Sequence, residues 1–425
     1  MRLARYAPLF GLFALACSSA PSTPGEAPVV PVPEEDKPKE TQPATTEKLD
    51  ETDLVAFDRL ALAVRTSKAA SDAIFVEPAN NQRYELHELP IYWLRRTDKG
   101  ANERGYLVGF PSPRGTRVEH PALAELGPVH RWDKDIDVLP EDAPFGFAEP
   151  VAGTKAFVYP YRPESGDFDP AVPSTPDFFA MFVHEGFHRY QTEEGGWIDP
   201  PNWTQDEASY PLTRENLALV LLEHRVLVAG LTAKDVAAKE TALKQLAAIR
   251  AARIKLPTSV VNGVNFVESL DLPQELVEGT ANYVELHFLQ QAGQLDAAGA
   301  LEQRVSWLEG LFDVKAYETI DDVRAELAFG RFYPTGSALS ELLDEVGGID
   351  WRSPCKQAVS QYATIVKKYP TAIGAEADAL LAAAKSAHEL DAKILPVTDK
   401  LLALPKGGAG KLRHAKKHAG CRHPQ

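Results

Sequence analysis

The residues with the clearest capacity for chemistry lie between Phe178 and Gln191, FFAMFVHEGFHRYQ. His184 and His188 stand four apart, so on a helix both imidazoles fall on one face and can reach one ion. Glu185 is turned about 100° away by helix geometry. That places it beside an ion rather than on it, where a general base for a metal-bound water belongs. Zinc favours imidazole and carboxylate ligands and leaves a position open in catalytic sites. It brings the pKa of its water to about 7, within reach of a neighbouring carboxylate. Two neutral histidines on an apolar helix can also be ordinary core residues. The flanking Phe178, Phe179, Met181, Phe182, Val183 and Phe187 read as core, and Gly186 lowers helix propensity in a way that permits close packing.

A helix must hold this pair. Thr175-Pro176-Asp177 is a start signal, with a capping hydroxyl, proline at the first helical position and an acid in the first turn. Gly195-Gly196 is the expected stop. A third ligand is sought in LPQELVEGTANYVELH, Leu272 to His287, where Pro273 suggests a new helix. Glu275, Glu278, Asn282 and Glu285 recur at spacings of three and four, hence on one face. Glu275 and Glu285 are expected to form a solvated acidic face. Glu278 differs: its setting is apolar, and Gly279-Thr280-Ala281 lets another helix come close. Asn282, one turn on, is placed to hold a ligand histidine.

HEGFHRYQ followed by ELVEGTANYVE resembles the gluzincin branch of zinc metallopeptidases, thermolysin-like and aminopeptidase-like. The resemblance covers roughly residues 170–348. It implies His184, His188 and Glu278 as ligands of one Zn2+ per chain and Glu185 as base. In that branch an acid commonly stands four residues after the ligand glutamate; here the position is Asn282. The gap from His188 to Glu278 is 90 residues (278 − 188), long for the branch, and a helical insertion around Asn216 to Arg253 accounts for it. RFYPTGSALSELLDEVGG resembles the segment in which a tyrosine before a glycine-containing helix stabilises the tetrahedral intermediate. That position is Tyr333, before a helix from Pro334 to Val346; an aromatic anchor at a helix start is the structural alternative.

The rest of the chain sets the context. The 425 residues carry 60 acidic and 45 basic side chains, net −15, which argues against general nucleic-acid binding. MRLARYAPLFGLFALACSSA has a basic start and an apolar run too short for a membrane span, ending at Ala14-Leu15-Ala16-Cys17. This resembles a bacterial lipobox and implies export with Cys17 lipidated, a membrane anchor at the outer membrane or cell surface; an ordinary cleaved signal with an incidental cysteine is the alternative. With Cys17 modified, Cys355 and Cys421 remain; a disulfide between them is the simplest arrangement in an oxidising compartment, two separate thiols the alternative. Ser18 to Glu47 holds seven prolines and no aromatic residue and reads as a tether. The tail from Lys406 is basic: a solvated end, or a contact for anionic lipid.

The expected fold is α+β, zincin-like, with a predominantly helical catalytic region and a small N-terminal β-containing part. Residues 1–17 form the signal, 18–50 the tether, 51–170 an α+β region, 171–350 the metallopeptidase-like region and 351–425 a helical end with its tail. Helices are expected at Asp53–Lys68, Leu212–Leu231, Val236–Arg253, Gln274–Gln291, Ala300–Phe312 and Ala375–Ile394, and strands at Tyr106–Phe110 and Ala156–Tyr161. The second strand is expected at a sheet edge, where an extended substrate would add. The activity implied is peptide-bond hydrolysis on a peptide or protein. A surface lipoprotein using such a fold for binding or adhesion is the alternative. The sequence leaves oligomeric state and cleavage preference open.

Overall fold

The structure, a computed structural model, describes residues 49–112, 114–141, 143, 145–162, 176–194, 209–357 and 359–407. The leader, most of the tether, Cys17, Thr175, Gly195-Gly196, Cys421 and nearly all of the basic tail lie outside these residues. So does any pairing of Cys355 with Cys421. Cys355 itself is buried, its sulfur 3.1 Å from the Trp351 carbonyl oxygen. The fold is mixed α and β, as expected at the level of class. The described residues form two compact units: 49–61 with 90–162, and 62–89 with 176–407. Residues 62–89 therefore belong with the helices, and 351–407 share a unit with 176–350.

The first unit is a six-stranded sheet. Its strands are β1 (Ile91–Arg96), β2 (Asn102–Val108), β3 (Thr116–Val118), β4 (Val129–Arg131), β5 (Gly146–Val151) and β6 (Thr154–Tyr161). They run in the order β3-β4-β2-β1-β6-β5, and all pairs are antiparallel except β1 with β6. The expectation that AFVYPY lies at an edge is therefore corrected. Ile91↔Phe157 through Arg95↔Tyr161 pair on one side of β6, and β5 pairs on the other. β6 is therefore an inner strand of the sheet, paired on both sides at Phe157 and Val158.

Strand β1, IYWLRR, is buried at all six positions. It lacks the alternation that marks a half-exposed strand, because both faces are covered. Tyr92, Leu94, Leu107, Val151 and Val158 fill one core cluster. Trp93 stacks on Tyr159 and Tyr161 at 5.5 and 5.3 Å, and Phe57 meets Tyr106 edge-on at 5.1 Å. The Glu51–Ile74 helix begins on a reciprocal cap: the Asp53 amide donates to Asp50 Oδ1 and the Asp50 amide to Asp53 Oδ2. Asp53 is wholly buried and takes Arg95, Arg104 and Tyr161 as partners, so the charge is compensated where it sits.

The second unit is helical. The His-Glu-x-x-His segment lies on Pro176–Arg189, continued by a π turn over Tyr190–Glu194. One face of this helix packs on Phe75 and Tyr84: Phe187 meets them edge-on at 5.0 and 5.2 Å. The Tyr84 hydroxyl donates to the Val183 carbonyl at 3.1 Å. A β-carbon at Gly186 would lie 2.5 Å from that hydroxyl, so the close packing expected of this glycine is present. The stretch from Asn216 to Arg253 lies on a pair of helices, Arg214–Thr232 and Val236–Lys255. No helix among the described residues is long and apolar enough to cross a membrane.

His224, on Arg214–Thr232, is buried and holds the Leu308 carbonyl through Nδ1 at 2.8 Å. Its Nε2 has no hydrogen-bond partner among the described residues. Burial pushes its pKa down to about 4, and Arg331 and Arg253 push the same way. The unfolded chain then binds more protons than the folded one between pH 4 and the ordinary 6.5. Stability from this group is complete above pH 6.5 and lost as pH falls, about 3 kcal/mol by pH 4. His224→Gln should flatten the pH dependence of denaturant unfolding in that window relative to wild type. Parallel curves for the two proteins would remove this role.

Candidate metal centre

Three segments of the helical unit build the site. The histidine helix supplies His184, Glu185 and His188. A run of π turn (Val267–Asp271), short α segment (Leu272–Gln274), π turn (Glu275–Gly279) and helix (Thr280–Gln291) supplies Glu278, Asn282 and Glu285. A π turn over Glu326–Gly330 leads into the Phe332–Val346 helix, which supplies Tyr333. The tyrosine is thus inside the first helical turn rather than before it.

Glu278 Oε2 lies 3.3 Å from His184 Nε2 and 3.3 Å from His188 Nε2. A tetrahedral site with bonds of about 2.0–2.1 Å has ligand atoms about 3.3–3.4 Å apart, because the edge of a tetrahedron is about 1.6 times its centre-to-vertex distance. Both Glu278–histidine distances match that spacing. A carboxylate oxygen of Glu185 also comes within 4.8 Å of ligand atoms on both histidines. Glu278 presents one carboxylate oxygen equidistant from the two imidazoles.

The outer nitrogens are held as ligand histidines require. His184 Nδ1 faces Glu285 Oε2 at 3.3 Å, and Asn282 Nδ2 donates to the same oxygen at 3.1 Å. His188 Nδ1 faces Gln191 Oε1 at 2.8 Å. The orientation of the Gln191 amide is fixed because its nitrogen donates to Thr280 Oγ1 at 2.8 Å and to the Val277 carbonyl at 3.0 Å. Each Nδ1 thus carries its proton outward and each Nε2 turns inward. Without an ion, a proton takes the inward place. Burial opposes it, but hydrogen bonds to Glu278 and Glu285 raise His184 to about 10. Burial likewise opposes ionisation of Glu278, yet His188 and His184 hold its carboxyl well below the usual range. A divalent cation would displace these protons, so its uptake releases acid.

Glu185 is 3% exposed, and burial raises its carboxyl to about 7 against the pull of the two histidines. The Tyr333 ring stacks on His184 at 5.4 Å, and its hydroxyl is hydrogen-bonded to Glu278. Burial and the surrounding carboxylates hold this phenol well above its ordinary value, so it stays protonated and able to donate. No family model, curated protein or solved structure matches this chain. The functional reading therefore rests on the geometry of the centre.

Three expectations are corrected. Glu275 and Glu285 do not form a solvated face; they are 2% and 7% exposed. Glu275 turns instead to Arg250. The four polar residues do not share one face, because an i→i+5 turn advances roughly 80° per residue rather than 100°. Over three residues that separates Glu275 from Glu278 by roughly 115° instead of 60°. Among the described residues Asn282 donates to Glu285 rather than to His184 or His188, and reaches His184 through that carboxylate. Sequence reasoning misses Glu285 and Gln191 as orienting groups. The signal for Gln191 is its place three residues after His188, on the same helical face.

The Glu278 turn and the Tyr333 helix meet through two glycines. A β-carbon at Gly279 would lie 2.3 Å from Gly336 Cα, and one at Gly336 2.4 Å from the Glu275 carbonyl oxygen. Both obstacles are backbone and cannot swing aside. Gly336→Ala should therefore cost about 3 kcal/mol, despite the gain in helix propensity of about 1 kcal/mol. The cost should appear as a lowered melting temperature together with weaker metal binding; an unchanged melt would show that the crossing relaxes freely. Gln191→Ala should weaken metal binding roughly 10–100-fold, with a lowered melt as well, since His188 and the Val277 carbonyl lose a buried partner. Competition against a chelator measures it, and wild-type affinity would remove the orienting role.

Proposed function

We propose that this protein is a zinc metallopeptidase of gluzincin type, with a zincin-like helical region, held at the bacterial cell envelope through lipidated Cys17. The observation that carries the reading is one carboxylate oxygen of Glu278 set 3.3 Å from the inward nitrogens of both His184 and His188. His184, His188 and Glu278 would hold the ion. Two imidazoles with one carboxylate suit zinc better than a hard oxygen-seeking cation. When bound, it supplies a Lewis acid that polarises a carbonyl and makes water more acidic.

The chain's own groups supply the rest. Glu185, beside the ligands and dry, accepts a proton from the attacking water and returns it to the leaving amine nitrogen. Burial favours this exchange by bringing its pKa near the working range. Tyr333 donates a hydrogen bond to the oxygen on which negative charge develops. Gln191 and Glu285, the latter steadied by Asn282, keep the imidazoles facing inward throughout.

Elemental analysis of the purified protein, with a fluorogenic peptide pool as substrate, tests the reading. One zinc per chain is expected, with hydrolysis lost on chelation and restored by zinc. Zinc without hydrolysis of any peptide would favour a binding lipoprotein. Absence of zinc even after supplementation would end the metal-centre reading.

A further inference from the structure

A buried ionic network lies behind the Glu278 turn. Arg250, on the Val236–Lys255 helix, grips Glu275 with both terminal nitrogens, at 2.5 and 2.7 Å. Glu223 accepts from Arg253 at 3.1 and 3.2 Å, and Arg253 also reaches Asp271 at 2.6 Å. Arg331, two residues before Tyr333, pairs with the same Asp271. The Tyr210 hydroxyl lies 3.1 Å from both Arg253 and Arg331. Three guanidinium groups face three carboxylates, all buried, so their charges cancel in place.

Such a network is a poor source of net stability, since desolvation offsets most of the attraction. Its value is geometric. A bidentate fork fixes the plane, distance and direction of a carboxylate in a way that no single contact does. Here the gripped carboxylate belongs to the first residue of the π turn that ends in Glu278-Gly279. A π turn is an unfavourable local geometry that persists when tertiary contacts hold it. If this one relaxed to α geometry, Glu275 and Glu278 would swing towards a common face, and Glu278 could no longer meet both imidazoles.

We propose that the Arg250–Glu275 fork is a positioning device: it sets the rotation of the π turn and thereby places Glu278 for metal binding. Arg250 and Glu275 are positioning residues, since neither touches the site itself. The inference rests on the reading that His184, His188 and Glu278 hold a divalent ion.

Cobalt(II) titration of the full chain tests it, because the visible spectrum reports coordination geometry independently of hydrolysis. Three proteins are compared: wild type, Arg250→Lys, and the paired change Arg250→Met with Glu275→Leu. The lysine keeps the charge and loses the fork. The apolar pair removes both charges and leaves none unpaired, so it should keep its ion-free melting temperature. Both variants should bind cobalt roughly 10–100-fold more weakly, with a changed spectrum. Wild-type affinity and spectrum in the folded apolar pair would overturn the proposal, the fork then being structural only. Should that pair fail to fold, Arg250→Lys decides by the same two readouts. A wild-type protein that takes up no cobalt would instead defeat the metal-centre reading, and this inference with it.

Discussion

On the proposed zinc centre, replacing Glu278 with alanine is expected to abolish zinc binding. Zinc bound by a full protein ligand set is worth about 10–16 kcal/mol at neutral pH. Sharing that among three protein ligands gives about 3–5 kcal/mol for one, or roughly 10²–10⁴ in affinity. Glu278 should lie at the upper end, being the charged member of the set. The change leaves two imidazoles 4.7 Å apart between ring centres, with Glu285 still engaged on the outer nitrogen of His184. Elemental analysis after dialysis, with chelator competition for the affinity, reads the outcome. Zinc retained at wild-type strength would move the third ligand to Glu185, whose oxygen also lies close to both histidines.

Glu185→Gln should do the opposite: keep the metal and lose the reaction. The amide matches the carboxylate in shape but cannot accept a proton. General base catalysis contributes roughly 10²–10⁴-fold, and hydrolysis should fall by about 10³-fold, mostly in kcat rather than KM. Zinc content and affinity should stay close to wild type, since Glu278 supplies the charge. Removing a buried carboxyl whose ionisation is opposed by burial should also leave the melting temperature unchanged or raised. A variant that holds zinc and still hydrolyses peptides at the wild-type rate would remove Glu185 as the base. A variant that loses zinc would make it a ligand.

Much of the centre is legible in the amino-acid sequence. His184, Glu185 and His188 can be placed because a helix has a fixed period and a start signal, and the signal at Pro176 is where the observed helix begins. Gly279 marks a point of close approach, and Gly336 proves to be what approaches it. The strand Ile91–Arg96 is not legible: burial on both faces erases the alternation that reveals a strand. Glu275 and Glu285 mislead for a related reason. An acidic residue on a periodic helix looks solvated unless its partner is known, and the partners lie 25 residues away at Arg250 and 101 residues away at His184.

The α+β class, the helical spacing of the two histidines and the signals that start and cap elements are written locally in the chain. All of them follow from interactions within a turn or two. Which carboxylate meets both imidazoles is settled only when distant segments pack together. That choice depends on a π turn that rotates Glu278 away from Glu275, on two glycines that let backbones touch, and on Gln191 and Glu285 holding the imidazoles inward. None of these has a local signature. A π turn differs from an α turn by one residue in its hydrogen bonding and persists through what packs against it, so its position is a property of the assembled fold.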